Sequence, residues 1–300
     1  MTINSTSSGS SWFLNGLAEV QRQQEKTQRD ISSGYRVHNA SDAPLETPRL
    51  VTLSSRLAAF QNWQSNLAQV KAEAQAGDSA IGSAVSLIEN ARVLAVRGAT
   101  ATTTAAGRAT LADQVQSLQS ELLSAANTTV AGRYIFAGDQ DQAPPYVLDP
   151  ASTSGVTAAT PQTSTRVVTA PDGEQIFRSL TATQVFDDPS ASAFGVLQEL
   201  QNALRNNDVP GISGALLSLQ EVSDWLNQQQ GIYGNSEQRI SDAQSAAGNE
   251  ILSLQSGIAA IRDTDIAQAA TDLTRENTSQ SAALAAQAQI SRKTLFDYLG

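Results

Sequence analysis

The sequence predicts a mainly α protein: an elongated antiparallel helical bundle or coiled coil built from both ends of the chain, interrupted by a small β-containing central insert. Proline placement is the first reason. Six of the nine prolines (Pro144, Pro145, Pro150, Pro161, Pro171, Pro189) fall between residues 144 and 189, and none lies between Pro48 and Pro144. A proline in a helix interior costs about 3 kcal/mol, so the flanks are free to form long helices and the middle is not. Apolar spacing is the second reason, because Leu111, Val115, Leu118, Leu122 and Ala125 step +4, +3, +4, +3, as the seam of a coiled coil does. Composition is the third: aromatic residues are 5% and hydrophobic residues 40% of 300 residues, with alanine prominent, which suits thin bundles packed by small side chains.

In chain order, residues 1–45 form an N-terminal helix and a joint loop. Leu14, Leu17, Val20 and Ile31 mark the helix face, but Gln24 and Thr27 stand where a seam wants aliphatic residues. The loop "ISSGYRVHNASDAP", residues 31–44, gathers Gly34, Asn39, Asp42 and Pro44 around His38, the chain's one histidine. Gly34 allows the helix to end in a left-handed conformation, Asn39, Ser41 and Asp42 offer turn and capping bonds, and Pro44 blocks continuation. Residues 46–134 supply the first part of the bundle, with Leu53, Leu57, Phe60 and Leu67 on the same template and Gln64 at its missing position.

Residues 135–190 form the insert, where Pro171-Asp172-Gly173 lies between two strand-favouring runs in "TRVVTAPDGEQIFRSLT", the pattern of a hairpin. Residues 191–262 return to helix spacing through Phe194, Leu197, Leu200 and Leu204, then through Ala247, Ile251, Leu254, Ile258 and Ile261. Residues 263–300 form a C-terminal helix. No Gly or Pro occurs from Ile258 to Leu299, enough for one helix of about 60 Å, but Asp263-Thr264-Asp265 resembles an N-cap and predicts a bend or restart. Its run "IAQAATDLTRENTSQSAALAAQAQI" has few large apolar anchors, so both chain ends are expected to be helices awaiting partners.

Charge and residue usage exclude several function classes. A net charge of -10 and a pI near 4.6 give no field for nucleic acid or an anionic membrane surface. The absence of cysteine removes disulfides, thiolate nucleophiles and thiolate metal sites. One histidine cannot furnish a typical metal site, and no metal or cofactor is expected. No run of about 18 apolar residues occurs, so membrane insertion is not expected, and the N-terminus lacks the basic and apolar regions of a cleavable secretory signal.

His38 with Asp42 resembles an acid/base pair, but no nucleophile, oxyanion site or phosphate loop accompanies it, and a solvated loop histidine is expected. Turn formation and helix capping account for the carboxylate pairs Asp139/Asp141, Asp187/Asp188 and Asp263/Asp265. An enzyme is not expected.

The loop "ISSGYRVHNASDAP" resembles the segment after the first terminal helix of bacterial flagellins and their hook-associated relatives, with His38 where those families usually carry Asn. "IENARVLAVRGAT" (88–100), "GRYIFAG" (132–138) and "IRDTDIAQAATDLTRENTSQSAALAAQAQI" from residue 261 are similar to further segments of that family, over roughly 200 residues in all. The ending "LFDYL" and "GRYIFAG" are more similar to the hook–filament junction branch than to filament subunits.

The resemblance implies a flagellin-like fold and a structural role at the hook–filament junction. It also implies export through the flagellar type III channel with the terminal helices unfolded, and assembly by pairing them. Hook-associated protein 1, flagellin, further copies of the chain in a ring or tube, and a cytoplasmic export chaperone are the implied partners. The implied assembly interface runs through Leu14, Leu17, Val20, Ile31, Gly34, Arg36, Ile258, Ile261, Ile266, Leu273, Leu284, Ile290, Leu295, Phe296 and Leu299. A filament-forming subunit is the alternative within the family, and a secreted helical adhesin or translocator tip is the alternative outside it.

Overall fold

The computed structural model describes the backbone of residues 5–159, 163–164, 166–171, 173–188 and 191–290. In chain order these form α1 (Ser5–Ser33), α2 (Thr47–Ala99), α3 (Ala105–Ala126), β1 (Thr129–Val130), β2 (Arg133–Tyr134), β3 (Tyr146–Leu148), β4 (Val156–Ala158), β5 (Val167–Thr169) and β6 (Gln175–Arg178). There follow α4 (Ala182–Phe186), β7 (Asp187–Asp188), β8 (Ala191–Ser192), α5 (Ala193–Arg205), α6 (Val209–Arg262) and α7 (Ile266–Ile290). The chain divides into one compact unit of residues 1–60 with 249–300 and a second of residues 61–248.

In the second unit α2 and α6 run antiparallel, as the contacts Gly77 to Tyr233, Gly82 to Gln230 and Glu89 to Ser223 require. Small residues set their spacing: Ala74, Ala84, Ala91 and Ala95 are fully buried on α2, alongside Leu67, Ile81 and Ile88. One 18-residue window of α2 reaches a mean hydropathy of 1.2, enough by composition to cross a membrane, although no continuous apolar run exists there. On α3 the buried stripe is Ala112, Val115, Gln119, Leu122 and Ala126, with Leu111 and Leu118 half-buried beside it. The predicted seam is therefore rotated by about one position, because α3 packs on α5, where Phe194, Leu197, Leu200 and Leu204 are fully buried.

Two buried charges hold the turns of this unit. Arg108, 6% exposed, donates to the carbonyls of Gly98 (2.7 Å) and Thr100 (3.1 Å) and to Asn207 Oδ1 (2.6 Å). It thereby satisfies orphan carbonyls at the end of α2 and ties them to the α5–α6 turn, where Asn207 adopts a φ of +56°. Glu73, 7% exposed, receives Arg133 of β2 and Arg166, which precedes β5.

The strands form four separate antiparallel pairs, β1–β2, β3–β4, β5–β6 and β7–β8. The predicted hairpin is present as β5–β6, with Val168 opposite Phe177 and Gly173 at a φ of +92°; Asp172 of its turn lies outside the described residues. Few as they are, the aromatic rings concentrate here. Phe136 meets Phe186 edge-on at 5.5 Å and Tyr233 at 6.2 Å, Phe177 meets Tyr233 at 6.0 Å, and Tyr146 meets Phe194 at 4.9 Å. α4 is fixed by a capping box between Thr181 and Gln184, and Trp225 Nε1 donates to Val185 O at 3.0 Å.

The first unit pairs the start of α2 with the end of α6 through Arg56 and Glu250 at 3.0 Å and through Leu53 beside Gly257. It also pairs α1 with α7.

A Cβ at Gly77 would lie 2.4 Å from the Tyr233 ring, which is walled in by Phe136 and Phe177. Gly77→Ala should therefore lower stability by about 1–3 kcal/mol despite its better helix propensity, as chemical denaturation would measure. An unchanged or raised stability would oppose this packing.

Candidate functional site

α1 ends where the sequence anticipates, at Gly34, whose φ is +76° and whose amide donates to Asp30 O at 2.9 Å. α6 and α7 are separated at residues 263–265, where the Asp265 carboxylate caps α7 by accepting from the amides of Ala267 (3.0 Å) and Gln268 (3.1 Å). These two helix breaks are laced together. Arg36 N donates to Arg262 O at 2.8 Å, Val37 N to the same carbonyl at 3.4 Å, and Thr264 N to Gly34 O at 2.9 Å. Tyr35 and Asp263 form an isolated antiparallel bridge, and the Arg262 guanidinium sits 4.0 Å over the Tyr35 ring.

His38 is exposed as a residue, as expected, but its ring is partnered. Its side chain is 21% exposed, and Nε2 lies 2.9 Å from Oδ1 of Asp30, a buried residue of α1. The loop thus folds back onto the helix it follows. Asp42 closes the turn by accepting from the amides of Asn39 (2.7 Å) and His38 (2.9 Å). Those bonds, Asn39's first, hold its carboxyl below the usual value. The His38–Asp42 relation is therefore backbone to carboxylate, and the ring of His38 faces Asp30 instead.

The α1–α7 seam is regular but weakly apolar. On α1 the half-buried or buried positions include Phe13, Leu17, Val20, Gln24, Thr27 and Ile31; on α7 they include Ala269, Leu273, Glu276, Gln280, Ala283 and Gln287, each series stepping +4 and +3 in alternation. Thr27 Oγ1 donates to Glu276 Oε1 at 3.0 Å, and Gln24 Nε2 donates to Asn277 Oδ1 at 2.6 Å. The terminal helices thus pair with each other in the same chain, as a bundle built from both chain ends requires, through a seam with polar layers.

The residues expected to form an assembly interface fall into distinct places. Leu17, Val20, Ile31 and Leu273 lie half-buried along the α1–α7 pair. Leu14 (60% exposed), Ile266 (57%) and Leu284 (50%) point away from it, as does Trp12 (83%). Ile258 and Ile261 are buried on α6 in the same stripe as Leu254. Gly34 and Arg36 serve the joint through their backbone, and Ile290 closes α7. Leu295, Phe296 and Leu299 lie outside the described residues.

Sequence reasoning missed Asp30, Tyr35, Arg262 and Glu276. The spacing from Asp30 to His38 offered no signal, whereas Gln24 and Thr27, the gaps in the seam, were visible and point to a polar partner. The carboxylate pairs are occupied structurally: Asp141 is 3.5 Å from Arg133, Asp187 Oδ1 accepts from Ser192 Oγ at 2.6 Å, and Asp265 caps α7.

Because the folded state lowers the Asp42 pKa, that carboxylate stabilises the 38–42 turn above its ordinary titration range. The contribution is lost as pH falls through the depressed value. Protection of the His38 and Asn39 amides, measured relative to their intrinsic exchange rates, should fall on acidification, and Asp42→Asn should flatten that dependence. Gly34→Ala should cost about 1–2 kcal/mol, since its left-handed backbone is unfavourable for any residue with a Cβ. Hydrogen exchange across pH checks the first expectation and thermal unfolding of Gly34→Ala the second, which a neutral variant would contradict.

Comparison with known proteins bears on this arrangement. The family described as "Bacterial flagellin N-terminal helical region" matches residues 5–141, and "Bacterial flagellin C-terminal helical region" matches residues 218–299. Flagellar hook-associated protein 3 of Escherichia coli (strain K12) is 32% identical over 198 residues, 64% of this chain and 62% of the relative. The protein of the same name from Salmonella typhimurium is 31% identical over 179 residues, 57% of this chain and 56% of the relative. The match thus spans about three-fifths of each relative's own length. Among solved structures, a putative flagellar hook-associated protein from Vibrio parahaemolyticus superposes with a TM-score of 0.65 at 16% identity, covering 73% of this chain and 99% of that one. FlgL of Bacillus cereus gives 0.57 at 15% identity, covering 69% and 99%. These two structures share the fold. With matches at both ends, covering α1, α2 and α3 on one side and most of α6 with α7 on the other, the chain belongs to the bacterial flagellin family.

Proposed function

We propose that this chain is a structural component of the bacterial flagellum, an adaptor between hook and filament that assembles through its terminal helices after type III export. The observation that carries the reading is the 32% identity to flagellar hook-associated protein 3 across nearly two-thirds of the chain. The terminal pair agrees with it. Trp12, Leu14, Ile266 and Leu284 are large apolar residues left exposed on two helices whose mutual seam is already occupied, and neighbouring subunits would cover them. The partners are other axial proteins, hook-associated protein 1 and flagellin, with copies of the chain itself in a ring or tube and a cytoplasmic chaperone before export. The working division is terminal assembly segments at 1–45 and 263–300, bundle at 46–134 and 191–262, and outer insert at 135–190.

The alternative reading is a filament-forming flagellin, which the family matches alone would equally suit. Immunogold labelling of purified flagella separates the two: label confined to the hook–filament boundary is expected, and label along the filament would overturn the junction reading. Removing residues 295–300 should leave a soluble monomer that fails to assemble. Full motility in a strain carrying only that truncation would count against assembly through the C-terminal helix.

A further inference from the structure

The β5–β6 hairpin is fastened to the helices of the second unit at three points. Arg166, just before β5, pairs with Glu73 of α2, and Arg239 of α6 donates to Glu174 Oε1 at 3.2 Å and to Gln175 O at the start of β6. Between these bridges Phe177 meets the buried ring of Tyr233 at 6.0 Å. Within itself the hairpin is weak. Among the described residues β5 and β6 pair with no further strand, their register shifts between Val168 and Thr169, and Val167 is exposed. A lone two-stranded hairpin is marginally stable in water, so this one takes its order from the helices beneath it.

The ion pairs are arranged so that its release strands no buried charge. Glu73 also holds Arg133 of β2 at 3.2 Å, and Asp141 lies 3.5 Å from that arginine, so Glu73 keeps a counter-charge when Arg166 departs. Arg166, Arg239 and Glu174 are partly exposed and regain water at little cost. The β3–β4 hairpin is fastened differently, without charge. Tyr146 and Val156 are buried, Asn127 bonds both backbone groups of Tyr146 at 2.9 and 3.1 Å, and Gln119 of α3 donates to Ser154 O in the turn.

We propose that the β5–β6 hairpin is a strap, latched over Tyr233 by the Arg166–Glu73 and Arg239–Glu174 bridges, which lifts as a unit while β1–β2 and β3–β4 stay on the helices. Lifting takes Ile176 and Phe177 out of the core and uncovers the Tyr233 ring above Gly77. Arg133 remains on Glu73 throughout, and it keeps the entry to the insert in place. The strap lies wholly within the second unit, and its opening does not depend on where the protein assembles.

Hydrogen exchange on the full chain, expressed as protection relative to intrinsic rates, tests this. Residues 167–169 and 175–178 should be at least about tenfold less protected than residues 146–148 and 156–158. Arg166→Gln with Arg239→Gln should lower protection of the strap by a further factor of about five or more and leave β3–β4 unchanged. Equal protection of the two hairpins in the unaltered chain would overturn the proposal. So would a folded double variant whose strap is unchanged, or one in which both hairpins lose protection together. Should the double variant fail to fold, Arg239→Gln alone, at a half-exposed position, is read by the same criteria.

Discussion

The first unit depends on one constraint: two interruptions of helix, far apart in sequence, share three backbone hydrogen bonds. Gly34 must adopt a left-handed conformation for α1 to stop, and Asp265 must cap for α7 to begin. Only then do the carbonyls of Gly34 and Arg262 meet the amides of Thr264, Arg36 and Val37. Everything beyond that point on α1 and α7 pairs antiparallel because both helices leave the same short ladder. His38 on Asp30, Asp42 on the turn amides and Arg262 over Tyr35 are reinforcements around it. Each is modest at a partly exposed site, and together they fix a direction.

The second unit relies on close approach. Alanine at the buried positions of α2, with Gly77 under Tyr233 and Gly98 under Leu204, brings backbones near enough for a thin core. Thin cores leave polar groups close to the interior, and the chain satisfies them with charges it buries deliberately. Arg108 collects two carbonyls and an amide oxygen, and Glu73 collects two arginines. Removing the partners of Arg108 or of Glu73 would leave a buried charge unpaired, whereas Arg133 and Arg166, each about one-third exposed, keep access to water.

Much of this architecture was legible in the sequence, for reasons that differ by element. The long helices were visible because proline is confined to the middle and because Ala247, Ile251, Leu254, Ile258 and Ile261 keep a strict period that burial then follows. The β5–β6 hairpin was visible because its turn chemistry is local. The stripe on α3 was displaced because the seam template assumes a symmetrical partner, whereas α3 packs on α5 and its buried Gln119 donates to Ser154 O of the β3–β4 turn at 2.7 Å. The pairing of the two chain ends was legible in the fold class, but not the residues that make it, since the polar layers at Gln24 and Thr27 depress the signal that identifies a seam. The role of His38 was hidden as well, because eight residues of separation carry no information until Gly34 reverses the chain.

The insert leaves and re-enters the helical body at one place: the Ala182 amide donates to Phe136 O at 2.7 Å. Everything between those residues is a closed excursion whose ends are already pinned. Closure entropy grows only logarithmically, by about 0.6 kcal/mol for each doubling of loop length. Length added to a turn of the excursion therefore costs little, provided that the side chains returning to the helices, Arg166 on Glu73 and Phe177 on Tyr233 among them, keep their places. What can vary in the excursion is the length of its turns, and what is fixed is the set of side chains that return to α2 and α6.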